Sequence, residues 1–173
     1  MAKNISSARP DFIRFATALK NKIIEILPVI ISVEGQKHFE ESFDQQGFAD
    51  KGVRKWRRRQ FNGNKTLKKG GQSGAYKEFL RKDQGRAILV SHQGDTKGTH
   101  LKDSIRSTST PKNVTFSTDK AYAEVHNEGG TAGRGGGFEM PQRQFMGPSE
   151  DLNMKIDKKI EHEMDKFLNN FKM

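Results

Sequence analysis

The sequence predicts an α+β domain: a small antiparallel β-sheet packed with a long N-terminal helical segment and a C-terminal helix, with extended basic and glycine-rich loops between them. Three observations lead there. Apolar residues recur at spacings of three and four from Leu152 to Phe171, and again from Phe12 to Leu27, which is the period of an amphipathic helix. Between these ends, Val114 to Ser117 alternates apolar and polar, the period of a strand covered on one face.

In chain order, Asp11 to Gln46 reads as helix in two pieces. Phe12, Phe15, Leu19, Ile23 and Ile26/Leu27 share one face, and Pro28 breaks or kinks the helix because it lacks the N–H and crowds the preceding turn. Beyond it Ile31, Gly35, Phe39 and Phe43 recur at spacing four, while the β-branched run Val29–Val33 also fits a buried strand. Gly47 is expected as the left-handed cap. A basic segment then leads through the breakers Asn62-Gly63-Asn64 and Gly70-Gly71, so it reads as a loop or arm. A short helix is expected over Ser73–Lys82 and a buried strand over Ala87–Val90, followed by a polar stretch, Ser91 to Thr99. Ile105–Thr110 and Val114–Thr118 form two strands joined at Pro111-Lys112-Asn113, and Ala121–His126 makes one helical turn. Gly129 to Gly137 holds six glycines in nine residues, which predicts an arm that only a partner orders. Ser149 is the expected N-cap of the last helix, with Glu150 and Asp151 favourably placed against its dipole. Together these make one domain over 1–173 with flexible arms at 51–71 and 129–138.

Composition narrows the function classes. With 32% hydrophobic and 30% charged residues, the core must be modest and loops substantial. The absence of cysteine excludes disulfides, thiolate metal sites and cysteine nucleophiles, and fits a bacterial cytosol. The N-terminal ten residues are polar and show no secretory signal, and Ile23–Val33 falls far short of the roughly 20 apolar residues of a bilayer span. Of the 31 basic residues, nine lie between Lys51 and Lys69 with no acidic one among them, leaving 22 against 21 acidic residues elsewhere. The net charge of +10 thus belongs to one segment. Such a segment attracts nucleic acid or an acidic protein surface, with Trp56 and Phe61 available to stack on bases, and it is equally the composition of a solvated loop.

Catalytic constellations are thin. His126 is flanked by Glu124, Asn127 and Glu128, but a general base needs a matched pKa and a substrate within reach. The plainer reading is a turn residue whose ring fixes a loop. The five histidines show no metal-ligand spacing, Gly133-Arg134-Gly135-Gly136-Gly137 lacks the Lys-Ser/Thr pair of a phosphate loop, and no serine stands in a Gly-x-Ser-x-Gly elbow. No catalytic residue, metal or cofactor is expected.

Several stretches, in order, resemble the phage virion morphogenesis (tail completion) family. Gly47-Phe48-Ala49-Asp50 followed by Trp56 resembles its "F-x-D…W" segment, and Leu101-Lys102-Asp103-Ser104-Ile105 its "L-x-x-S-I". Ala121-Tyr122-Ala123-Glu124-Val125-His126-Asn127-Glu128-Gly129-Gly130 is similar to "Y-A-x-I-H-N-E-G-G", and Met140-Pro141-Gln142-Arg143-Gln144-Phe145-Met146-Gly147 to "M-P-A-R-P-F-L-G". Gln144 stands where the family has proline, and Gly98-Thr99-His100 replaces its "T-G-x". The resemblance implies a non-enzymatic protein that completes or caps a phage tail and supports head–tail joining. Its implied partners are tail and neck proteins and further copies of itself in a ring, and its implied location is the virion and the host cytoplasm during assembly, with no membrane. Arg54, Trp56, Arg57, Arg58, Arg59 and Phe145 are the expected subunit or partner contacts. Tyr122, His126, Asn127, Gly129, Gly130 and Pro141 are expected to position loops. The alternative is a nucleic-acid-binding module using the basic 51–69 segment.

Overall fold

The computed structural model of the chain describes residues 5–58, 87–89, 100–133, 135 and 137–171, with side chains of the first helix from residue 11 on. That helix, α1, runs unbroken over Ile5–Gln45, about 60 Å at 1.5 Å per residue. One expectation for its middle is corrected, since Pro28 does not divide it, and Val29–Val33 is helix, as the helical reading of 11–46 expects, rather than the competing strand. The reason is tertiary. The C-terminal helix α3 (Glu150–Asn170) lies antiparallel along α1 and bridges both sides of the proline. Lys155 meets Glu41 at 2.9 Å, while Phe15 packs on Phe167 and Phe171 with ring centroids 6.1 and 5.0 Å apart. The missing backbone bond at Pro28 is thereby splinted by packing on either side.

Gln46, at φ 51°, is the left-handed residue that ends α1, not Gly47. Its amide side chain donates to the Phe43 carbonyl and its Oε1 accepts the Ile88 N–H at 2.5 Å, so it caps the helix and tethers a distant segment. Gly47 opens strand β1 (Gly47–Ala49), which pairs antiparallel with β2 (Val53–Lys55). A Cβ on Gly47 would stand 2.5 Å from the Arg54 carbonyl oxygen, so close strand approach is what requires glycine there. The first residues of the basic segment are therefore a hairpin rather than an arm. The rest of that arm, 59–71, lies outside the described residues, as do Phe61, the helix expected over Ser73–Lys82 and the polar stretch 91–99. The strand expected over Ala87–Val90 is not formed at 87–89. Ile88 is buried in a turn with Leu89 at φ 61°, and its N–H goes to Gln46 instead of a strand neighbour.

A short 3-10 turn, Lys102–Ser104, leads into β3 (Arg106–Ser109), which pairs antiparallel with β4 (Val114–Ser117) as the alternation predicts. Val114 and Phe116 face inward, and Phe116 lies edge-on to Phe39 at 5.0 Å. It sits directly over Gly35, where a Cβ would come within 2.3 Å of the ring, so the glycine in the α1 stripe is the slot that admits the hairpin. Ser32 and Ser107 hydroxyls share a 2.6 Å hydrogen bond beside it. Helix α2 (Ala123–Glu128) follows, two residues later than expected, and closes at Gly129 with φ 80°. The glycine-rich stretch is a third hairpin, β5 (Gly130–Ala132) against β6 (Phe138–Met140), rather than an unstructured arm.

The α+β class holds, with the sheet expressed, among the described residues, as three separate two-stranded antiparallel pairs. The core gathers at the C-terminal end of α1: Phe39 and Phe43 meet Phe48, Trp56, Leu101, Ile105, Phe145 and Leu152. The Ser149 cap is as expected, its hydroxyl accepting the Leu152 N–H at 3.1 Å while donating to the Ala49 carbonyl at 2.8 Å. Among the described residues no helix is long and apolar enough to cross a membrane.

Candidate partner-binding site

Three segments distant in sequence converge on one end of the core: the β1–β2 hairpin with the residues just after it, helix α2, and the coil 141–149. The coil is bound to each of the other two by polar contacts. Trp56 inserts its indole, 6% exposed, beside Phe43 and donates Nε1–H to the Gln144 carbonyl at 2.7 Å. Asn127 Oδ1 accepts the N–H groups of Phe145 and Met146 at 2.9 and 3.0 Å, and its Nδ2 donates to the Met146 carbonyl at 3.0 Å. The Arg143 N–H donates to the His126 carbonyl at 2.7 Å, and Arg143 Nε donates to the Arg57 carbonyl at 3.3 Å. At the start of α3, the Glu150 N–H donates to Asp50 at 3.0 Å and Lys51 pairs with Glu150 at 2.7 Å, with both side chains exposed.

The expected contact residues separate into two groups. Trp56 and Phe145 are corrected from surface contacts to core. Phe145 is fully buried, its ring 5.2 Å from that of Phe43, because large aromatic surface beside an aromatic cluster is better covered by this chain than left in water. Arg54, Arg57 and Arg58 are exposed. Arg54 reaches Gln144 Oε1 at 3.2 Å and lies 3.8 Å from Asp50. Arg59 lies outside the described residues. The result is a basic segment whose base is held rigidly by the Trp56 indole and by Arg143, with its guanidinium groups turned to solvent.

The residues expected to position loops lie in and around α2 and at the start of the coil. Tyr122 and His126, one helical turn apart, stack edge-on at 5.8 Å. Gly129 and Gly130, at φ 80° and 110°, adopt left-handed conformations, and a Cβ on Gly129 would crowd the Gln142 N–H at 3.1 Å. Pro141 sits half-buried between β6 and the coil that carries Phe145. Sequence reasoning missed Arg143 and His38, both buried. Arginine and histidine at unpatterned positions read as surface residues, and only the neighbours packed around them show otherwise.

Two imidazoles, that of buried His38 and that of half-buried His126, are held below the ordinary histidine pKa. For His126 the main cause is burial, followed by the nearby Arg143 guanidinium. For His38 it is burial and then Lys155, partly opposed by the Ala49 carbonyl and by Glu41 and Asp151. Their Nδ1 atoms are buried without a hydrogen-bond partner, so a second proton on either ring would be unsatisfied. Since the folded pKa values lie below 6.5, the unfolded chain binds more protons as pH falls through that value. This part of the stability is complete above about pH 6.5 and is lost as pH falls toward the lowered values. The thermal midpoint is accordingly expected to drop as pH falls below about 6.5, with a shallower drop in His126→Gln. A midpoint that rises or stays flat below that pH in the unmodified protein would contradict this account.

Comparison with known proteins places two of these three segments, helix α2 and the coil, in one family pattern, while the β1–β2 hairpin lies outside the match. The model of the phage virion morphogenesis family matches residues 72–165, a little over half of the chain. It includes helix α2, the coil 141–149 and most of α3. No curated protein and no solved structure matches the chain.

Proposed function

Because this chain belongs to the phage virion morphogenesis family and so has a structural part in building a phage virion, we propose that it completes or caps the tail and supports joining of the tail to the head, without catalysing a reaction. Family membership carries this reading, and the geometry supports it. The segments held together by Trp56, Asn127 and Arg143 make a firm platform, and Arg57 and Arg58 project from it toward an acidic surface. The partners are tail and neck proteins, together with further copies of the chain arranged as a ring. It acts in the virion and, during assembly, in the host cytoplasm.

Deleting the whole basic segment would remove β2 and Trp56 from the fold, so charge reversal is the cleaner test. Arg57→Glu/Arg58→Glu is expected to cut head–tail joining at least about tenfold in a mixture of purified heads with tails lacking this protein. Tenfold corresponds to about 1.4 kcal/mol, within the range of two lost charge contacts at an interface. Joining that proceeds normally with this variant would remove the cations from the interface. Failure of the unmodified protein to restore joining would remove the proposal itself. The same exposed arginines favour a second reading, nucleic-acid binding. Its signature is affinity that falls steeply between about 50 and 200 mM salt.

A further inference from the structure

The first half of α1 carries more apolar surface than the described residues cover. From Phe12 to Val33 an unbroken four–three alternation runs through Phe12, Ala16, Leu19, Ile23, Ile26, Ile30 and Val33, the spacing of a coiled-coil seam. Helix α3 covers this strip only in part. Phe12 is 70% exposed, Val33 58% and Ile23 40%, and Ile13, Ile24 and Val29 beside them are exposed as well. Between Ile23 and Val33 the only charge is Glu25, and apolar residues lie on every side of the helix, a pattern found in helices buried all round.

We propose that this strip is the contact between two copies of the chain, the paired α1 and α3 of one copy packing against those of the other as a four-helix bundle. The inference deepens the assembly reading above and rests on it for its purpose. Three observations select a second copy. Residues 12–33 span about 32 Å, and two helices side by side present a layer roughly 20 Å wide, so about 600 Å² is offered. A stable interface takes about 800 Å² from each partner, which a single helix only ~10 Å wide does not approach and a second two-helix layer nearly supplies. Ile23 and Ile30 occupy one seam position and Ile26 and Val33 the other, and β-branched residues at both favour assemblies of more than two helices. Lastly, the chain carries a net charge of +10, yet the strip from Ile23 to Val33 holds one charge, Glu25, so two copies meet there without the repulsion that contact through the basic segment would bring.

Sedimentation of the full chain tests this directly. The unmodified protein is expected to run at a multiple of 19.6 kDa, and Ile23→Glu/Val33→Glu at 19.6 kDa with unchanged helical circular dichroism. An unmodified protein that stays at 19.6 kDa at about 50 µM, a concentration at which a dimer with micromolar Kd is mostly associated, overturns the proposal. So does a double variant that keeps the larger mass. Should the double variant fail to fold, cross-linking decides. The chain has no cysteine, so Val33→Cys and Lys112→Cys, the latter on the exposed β3–β4 turn, each supply a single thiol. A bifunctional maleimide is expected to link Val33→Cys chains at least about fivefold more than Lys112→Cys chains, and equal linking overturns the proposal. The head–tail joining assay is read separately. Joining by a protein that stays monomeric sinks this inference alone, whereas oligomers that do not restore joining sink the tail-completion reading alone.

Discussion

Replacing Phe145 by alanine is expected to lower the free energy of unfolding by about 3–5 kcal/mol, the range for removing a buried phenyl ring. The ring is fully buried between Phe43 and the segment that carries Trp56, and its loss opens a cavity at the point where three parts of the chain meet. Relaxation is restricted there, because the backbone on either side of Phe145 is fixed: Gln144 accepts the Trp56 indole and Asn127 accepts the next two N–H groups. The surroundings therefore have little freedom to close the gap, which puts the cost toward the upper part of the range. Urea unfolding monitored by Trp56 fluorescence measures it, since the sole tryptophan is in the same cluster. A loss below about 1 kcal/mol would mean that the site collapses easily and that Phe145 is not the anchor described here. Phe145→Leu, which keeps most of the volume, is expected to retain the larger share of the stability.

The second large effect is expected at Asn127. Its side chain satisfies two backbone N–H groups and one carbonyl of the coil at Phe145 and Met146. Asn127→Ala leaves those groups without partners at the edge of the core, and each buried unsatisfied group costs about 1–3 kcal/mol. Part of that cost is recovered where water reaches Met146, so a total of about 3 kcal/mol is expected. Amide hydrogen exchange supplies a specific signature: the Phe145 and Met146 amides should exchange faster by an order of magnitude or more, while amides in α3 stay slow. Asn127→Asp keeps the acceptor for both N–H groups but loses the Nδ2 bonds to the Met146 carbonyl and to Glu128, so it should fall between alanine and the unmodified protein. If aspartate costs as much as alanine, acceptance of the two N–H groups is not what holds the coil. The two sites touch, so their combined effect should be smaller than the sum, because the alanine at 145 already loosens the coil that Asn127 holds.

Both experiments probe the platform that presents Arg57 and Arg58, and this platform was only partly readable beforehand. A loop-positioning role is expected for Tyr122 and His126 from their spacing of one helical turn, and for Asn127 and Gly129 from the family resemblance of the motif that holds them. Trp56 and Phe145 were expected at a contact with another subunit. An aromatic residue beside charges reads the same way whether it inserts into its own core or into a neighbour. What separates the cases is which partner comes first, and the indole N–H finds one in the Gln144 carbonyl, 88 residues further along the chain. Arg143 gave no signal at all, since nothing local marks a guanidinium that will be buried against the Arg57 backbone.

The sequence by itself determined the α+β class, the C-terminal helix with its Ser149 cap, the β3–β4 hairpin and the membership in a phage assembly family. Each of these rests on periods, caps or turn residues a few positions apart, so the interactions that decide them lie within one element or one hairpin. Only the tertiary structure decided that α1 continues through Pro28, that Gln46 rather than Gly47 ends it, that the glycine-rich stretch closes as a hairpin, and that two expected contact aromatics belong to the core. In all of those cases but the hairpin, whose pairing is local, a local preference worth a few kcal/mol was set against contacts between distant segments: α3 against both sides of Pro28, Ile88 against Gln46, Phe43 against Phe145. Packing between distant segments prevailed because it buries more surface than the local preference is worth, and that balance is not written in any short window of the chain.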